Sequence, residues 1–342
     1  MKKIITIIFL ILLIGLEIYA KNVSDINKRK VEMNKNYFVK DTKVSEVIND
    51  PAFKGFGRLI FPVNTDYWSG EILKDIRLTW YSHINPDKTV EIVNNLKERV
   101  SVGETVFFDI YTEAEKKAEP RKKDTGLFFF KGKPNEKFAI CNAGGGFSYV
   151  GAIHDSFPHA LELSKKGYNA FILIYRPDPI LACEDLARAT AFVFEHAKEL
   201  EIDTNAYSLW GGSAGARVVA MLGAYGTSKF GEKDYPKPSA VIIQYTGLSE
   251  HSPKEPPTFV CVGDNDYISN WKVMKSRVDN ISKMGIDTEF HVYHNLGHGF
   301  GLGLGTEAEG WIDKAIKFWE KQMQMNNRWW SNSIIFLWEG TT

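Results

Sequence analysis

The chain reads as an α/β fold, a mostly parallel and doubly wound sheet of about eight strands in one domain. Three observations predict this. From Lys137 onward, strand-like and helix-like stretches alternate regularly. Most of the strand candidates are short, unbroken apolar runs, the pattern of strands buried on both faces of a parallel sheet. Glycine-rich turns stand where several of those runs end. A chain of 342 residues with 44% apolar side chains can bury a large core.

The elements follow in order. Lys2 and Lys3 precede an apolar run from Ile4 to about Leu16, broken by Thr6 and Gly15. This reads as a secretory signal peptide over residues 1–20, with an uncleaved N-terminal anchor as the alternative, and implies export to the envelope or beyond. Residues 21–50 are polar and rich in Lys and Asn, a solvated leader. The aromatic-rich stretch that completes the extension 21–70 is expected to drape over the main domain, which is expected to span 71–325. Strands are predicted at Ile76–Tyr81, Thr105–Tyr111, Leu127–Lys131, Lys137–Asn142, Asn169–Tyr175, Ala206–Trp210, Ala240–Tyr245, Thr258–Val262 and Thr288–Tyr293. One helix should follow Pro86-Asp87, and amphipathic helices should cover roughly 155–166, 183–200, 213–224, 270–284 and 306–323. The charge run Lys116–Asp124 suits an exposed turn. Asp185 and Arg188, three apart on one helix, suit a structural ion pair. The segment 326–342 is too apolar for a free tail; packing on the domain, contact with a membrane interface and foreign sequence are all open.

Composition narrows the partners. The 42 basic and 42 acidic side chains balance, so no global field draws the chain to nucleic acid. Membrane contact is expected only through the N-terminal segment or the C-terminal tail. Cys141, Cys183 and Cys261 sit among apolar neighbours and read as buried free thiols. No Cys/His spacing suggests a metal, and no cofactor is expected.

The chemistry concentrates in four loops. Gly211-Gly212-Ser213-Ala214-Gly215 follows the strand Ala206–Trp210 and opens a helix pattern. This is G-x-S-x-G in strand–turn–helix context, with Ser213 lifted off the sheet at a helix N-terminus, as a nucleophile requires. Gly144, Gly145 and Gly146 follow the strand ending near Asn142. The amides of Gly145 and Gly146, with that of Ala214, are candidate donors to a tetrahedral oxyanion. As a dinucleotide loop this run fails, for it lacks the G-x-G-x-x-G spacing. After Thr258–Val262 come Asp264 and Asp266. Asp266 lies further round the loop and is favoured as the acid, while Asp264 suits hydrogen bonds to the turn backbone. After Thr288–Tyr293 come His294 and His298; His298, between Gly297 and Gly299, is favoured as the base and His294 as structural. His154 reads as a satisfied histidine. Phe147, Tyr149 and Phe300 flank these loops and are candidates for the acyl pocket, with core packing the alternative for each.

The order Ser213, Asp266, His298 is that of the α/β-hydrolases. GGGF at 144–147, Tyr175-Arg176, Glu184-Asp185, GGSAG at 211–215, GDND at 263–266 and GHGF at 297–300 recur in the order of that superfamily. The stretch 71–325 resembles bacterial carboxylesterases, close to the acetyl-xylan-esterase and feruloyl-esterase-like group and to hormone-sensitive-lipase-like esterases. Asn142-Ala143 departs from the His or Pro of the lipase-like relatives. The resemblance implies a small-molecule or carbohydrate ester substrate: acetylated or feruloylated sugars, or small acyl esters. Only Thr246–Pro257 separate the sixth strand from the next, which leaves no room there for a lid insertion and disfavours interfacial lipolysis. A serine peptidase or amidase of the same fold is the rival reading, and a non-catalytic binding protein is another.

Overall fold

Uninterrupted apolar segments such as Gly126–Phe130 and Asn169–Ile174 have every residue buried, as strands covered on both faces must. A computed structural model describes residues 37–339, with side-chain surroundings as far as Met325. The expected signal segment and most of the polar leader lie outside the described residues. The central sheet has eight strands: β1 Phe107–Phe108, β2 Gly126–Phe130, β3 Glu136–Asn142, β4 Asn169–Ile174, β5 Ile202–Gly212, β6 Ala240–Gln244, β7 Thr258–Gly263 and β8 Thr288–Tyr293. Their spatial order is β8-β7-β6-β5-β3-β4-β2-β1. Pairing is parallel from β8 across to β4, whereas β2 runs antiparallel to both β4 and β1.

The helices are α1 Val44–Ile48, α2 Pro86–Ser101, α3 Glu113–Ala118, α4 Ala152–Asp155, α5 Phe157–Lys165, α6 Pro179–Glu195, α7 Ala214–Tyr225, α8 Trp271–Lys283 and α9 Trp311–Glu339. Local chemistry sets their starts. Asn85 accepts the Lys88 amide and Pro86 fills the first turn of α2. Asp178 accepts the amides of Ile180 and Leu181 in the same way for α6. Among the described residues no helix is long and apolar enough to cross a membrane.

Several elements depart from the sequence expectation. Of Ile76–Tyr81, only Arg77–Leu78 is extended, and it pairs with Trp68–Ser69 in a separate two-stranded ribbon. Trp80 and His83 adopt left-handed φ angles of 69° and 56°, which turn the chain away from any ladder. The strand expected at Thr105–Tyr111 shrinks to β1 at the sheet edge. The helix expected at 155–166 is split into α4 and α5 at Ser156, where Pro158 has no N–H to continue the ladder. The run 116–124 is helical: Thr112 and Glu115 form a reciprocal capping box at the start of α3, and Pro120–Asp124 forms a 3-10 turn. The last helix begins at Trp311 rather than near 306, and it continues through most of the segment read as a tail.

The aromatic-rich extension shares the core of the sheet. Phe53, Leu59, Ile60 and Phe61 are buried, and the Phe56 ring stacks on Phe107 and meets Phe128 edge-on. Asp185 does not pair with Arg188. Its buried carboxylate binds the Arg176 guanidinium at 2.7 Å and accepts from the Tyr111 hydroxyl at 2.5 Å. Arg188 reaches Glu232 and Glu195 instead. A buried carboxylate recruits whichever cation is also desolvated, and Arg176 lies inside while Arg188 sits nearer the surface.

Candidate active site

The loops at the C-terminal ends of β3, β5, β7 and β8 converge on one spot. β5 ends in Gly211-Gly212, and the chain reverses at once into α7. Ser213 sits between them at φ 49° and ψ −113°, a backbone conformation that β-carbon-bearing residues rarely adopt. The reversal needs glycine on either side. A Cβ on Gly211 would lie 2.5 Å from the Gly215 carbonyl oxygen, and one on Gly215 would lie 2.1 Å from that of Asn142. The Ser213 amide is fixed by the Gln244 carbonyl of β6 at 3.0 Å, and its hydroxyl caps nothing in α7. That hydroxyl instead meets His298 Nε2 at 3.0 Å.

The opposite side of the His298 ring faces Asp266, Nδ1 to Oδ2 at 2.7 Å. The Asp266 side chain is fully enclosed, and its other oxygen accepts the amides of Ile268 at 2.8 Å and Ser269 at 2.7 Å. Those two amides fix the carboxylate's orientation before the imidazole arrives. Asp264 and His294, from the same two loops, form a second pair at 2.7 Å, but on the surface. The Asn295 amide also binds Asp264 at 2.7 Å, so this carboxylate stitches the two turns together. The bond to His294 holds the Asp264 carboxyl below the usual carboxylate range.

The triple-glycine loop passes beside Ser213. The Gly144 amide donates to Asp155 Oδ2 at 2.7 Å, and Tyr175 donates to the Ala143 carbonyl at 2.6 Å. The amides of Gly145 and Gly146, and that of Ala214 at the start of α7, donate to no acceptor among the described residues. The pocket candidates divide. Phe147 is half-buried, with a left-handed φ of 58°. Phe300 has no exposed surface and packs between Tyr245 and Tyr293, so it belongs to the core and lines no pocket. The Tyr149 ring is 1% exposed, stacked on Tyr67 and Trp80, and supports the rim from beneath. Tyr149 also lines a cavity of about 270 Å³, together with Phe61 and Pro62 of the extension and Tyr175 after β4. Cys141, Cys183 and Cys261 are buried and unpaired by disulfides. His154 is buried; its Nε2 lies 3.0 Å from the Gly299 carbonyl, and burial lowers its pKa to about 4, so it is neutral and steadies the His298 loop. Among the described residues no group of three or more His, Cys, Asp or Glu is placed to hold a metal ion.

Asp155 is the member that sequence reasoning missed. It lies beneath the Ser213 turn, where a Cβ on Gly212 would approach its oxygens to 2.4 Å. Besides the Gly144 amide it accepts the hydroxyl of Tyr81 at 2.8 Å and that of Tyr245, whose ring meets His298 edge-on. Burial outweighs those three donors and raises the carboxyl from 3.8 to about 6. A carboxyl raised on folding binds more protons in the folded chain, so its contribution to stability is full below about 3.8 and is lost as pH rises through about 6. At 1.36 kcal/mol per pKa unit the swing is about 3 kcal/mol. Urea unfolding at pH 4.5 and pH 7 should therefore show the wild type losing ground to Asp155→Asn as the pH rises. A difference that stays constant with pH would contradict this account.

Sheet order, parallel crossovers and the strained serine turn define an α/β-hydrolase fold. Residues 131–252 match the family model described as BD-FAE. Solved structures agree on the fold. An acetyl ester-xyloside bifunctional hydrolase from Caldicellulosiruptor lactoaceticus superposes with a TM-score of 0.56 at 22% identity, over 63% of this chain and 95% of its own. MGS-M1, an α/β-hydrolase enzyme from a Medee basin deep-sea metagenome library, gives 0.54 at 21% identity over 64% and 97%. The carboxylesterase Cest-2923 from Lactobacillus plantarum WCFS1 gives 0.51 at 17% identity over 58% and 92%. Comparison with curated proteins gives no match.

Proposed function

We propose that this protein is a serine-dependent carboxylic ester hydrolase acting on short acyl esters or on acetyl or feruloyl groups carried by carbohydrate. The observation that carries the reading is the bridging position of His298, 2.7 Å from Asp266 and 3.0 Å from a hydroxyl held at a strained turn. In this reading His298 Nε2 takes the Ser213 proton as Oγ attacks the ester carbonyl, and Asp266 holds the ring and stabilises the imidazolium. The amides of Gly145, Gly146 and Ala214 stabilise the oxyanion at the N-terminus of α7. His298 then protonates the leaving alcohol, and water deacylates Ser213 by the reverse use of the same groups.

The ester reading draws support from the solved neighbours that are an acetyl ester-xyloside hydrolase and a carboxylesterase. The carbohydrate reading draws on the short connection between β6 and β7, for residues 245–257 contain no helix or strand and so no lid insertion. The charged and then apolar chain start fits export, to where polymeric carbohydrate esters are met. The test is a panel of short acyl esters, acetylated xylan fragments, feruloyl esters and aminoacyl amides, run alongside fluorophosphonate labelling. Esters should be turned over in preference, with the label on Ser213 alone. Preference for amides, or labelling elsewhere, would overturn the reading.

A further inference from the structure

Trp80 carries an unusual combination of features. It is 41% exposed, although the Tyr67 and Tyr149 rings lie 5.7 and 6.0 Å from it. Its φ of 69° is strained for a bulky side chain, and such strain persists where surrounding contacts enforce it. Those contacts are the two loops of the candidate active site. A Cβ on Gly146 would lie 2.8 Å from Trp80 Cζ3, and one on Gly299 would lie 2.5 Å from the Trp80 carbonyl oxygen. The next residues tie down the same loop: the Ser82 hydroxyl donates to the His298 carbonyl at 2.8 Å, and the Ser82 amide donates to that of Gly299 at 3.1 Å.

This position has a chemical meaning, one that rests on the ester reading above. His298 is the group that returns a proton to the departing alkoxide, so the alcohol half of an ester must lie toward the His298 loop. Trp80 stands on that loop and reaches across to the triple-glycine loop. We infer that the exposed Trp80 indole is a platform on which the sugar ring of a carbohydrate ester stacks, as the leaving alcohol, with its acylated oxygen directed at Ser213. An alkyl alcohol would call for an enclosed apolar groove. An indole open to water suits a ring with an apolar face whose hydroxyls stay hydrated. The Tyr149 ring stacks on the indole and the Tyr67 ring meets it at a tilt, and the two hold its plane, so little side-chain freedom is lost when the sugar arrives. Trp80 is a positioning residue for the alcohol.

The experiment compares Trp80→Ala with wild type on an acetylated methyl β-xylopyranoside and on methyl acetate, whose alcohol has no ring to stack. Stacking of this kind corresponds to roughly a tenfold change in affinity. The rise in KM for the sugar ester should exceed any change for methyl acetate by about that factor, with the ratio of the two kcat values within about twofold of wild type. Trp80→Phe should recover part of the loss. Trp80→Gly, which accepts the left-handed backbone, should behave like Trp80→Ala and keeps the test valid where alanine impairs folding. Equal losses on both esters would show that the indole merely props the loops, and unchanged constants would show that no ring rests there; either overturns the inference. Calorimetric binding of the same sugar ester to Ser213→Ala, with and without Trp80→Ala, reads the platform without turnover. A wild type inactive on both esters, with this binding difference intact, would remove the hydrolase reading and leave the platform standing; no difference in binding would remove the platform.

Discussion

Replacing Ser213 by alanine is expected to lower turnover of a nitrophenyl ester by about 10⁶-fold, the scale seen when the nucleophile of such a constellation is lost. The fold should be unaffected. Alanine keeps the β-carbon that Ser213 already accommodates at φ 49°, and the hydroxyl makes no cap bond within α7. What disappears is the single atom 3.0 Å from His298 Nε2. Single-turnover kinetics with matched unfolding curves would check both halves. Substantial residual turnover in a folded variant would remove Ser213 from the role of nucleophile.

Asp266→Asn should cost about 10⁴-fold in kcat, while Asp264→Asn should cost no more than a few-fold. The reason lies in which atoms are already committed. The amides of Ile268 and Ser269 both point at one oxygen of Asp266, so the asparagine must leave its carbonyl oxygen there. Its NH₂ group then faces His298 Nδ1 and forces that nitrogen to accept. The ring proton moves to Nε2, where it blocks acceptance of the Ser213 proton. Asp264 has no such link: its partners are an exposed histidine and the Asn295 amide. Its loss loosens a turn. Comparable losses in the two variants, measured as kcat on a short acyl ester, would mean that the acid has been assigned to the wrong member of the pair.

The sheet was legible because burial on both faces leaves an unbroken apolar run, as in β2, β4, β6 and β7, whereas the edge strand β8 is only partly buried. The fragments near Trp80 were not legible. Their apolar character serves a rim and a core contact, and nothing in a short aromatic stretch distinguishes that from a ladder. The glycines and the Ser213 turn could be read because a strained reversal tolerates few residue types. Phe300 follows His298 by two positions, yet side chains in a loop obey no period, so its inward direction was invisible. Asp155 was hidden for a different reason. Its hydroxyl partners, Tyr81 and Tyr245, lie 74 and 90 residues away, and only the folded sheet brings the three together.

The Asp155 cluster also bears on how such a protein can diversify. One buried carboxylate joins the triple-glycine loop, the chain following β6 and the segment around Tyr81. A substitution there disturbs folding and geometry together, so that floor admits little drift. The rim of Tyr67, Trp80 and Phe147 is built on turns whose surface groups contribute little to the core. On the proposed ester reading, single changes at the rim shift the preference for one alcohol over another while the Asp155 floor stays fixed. Directed variation aimed at new ester partners should therefore begin at Tyr67, Trp80 and Phe147 rather than at Tyr81 or the strand ends.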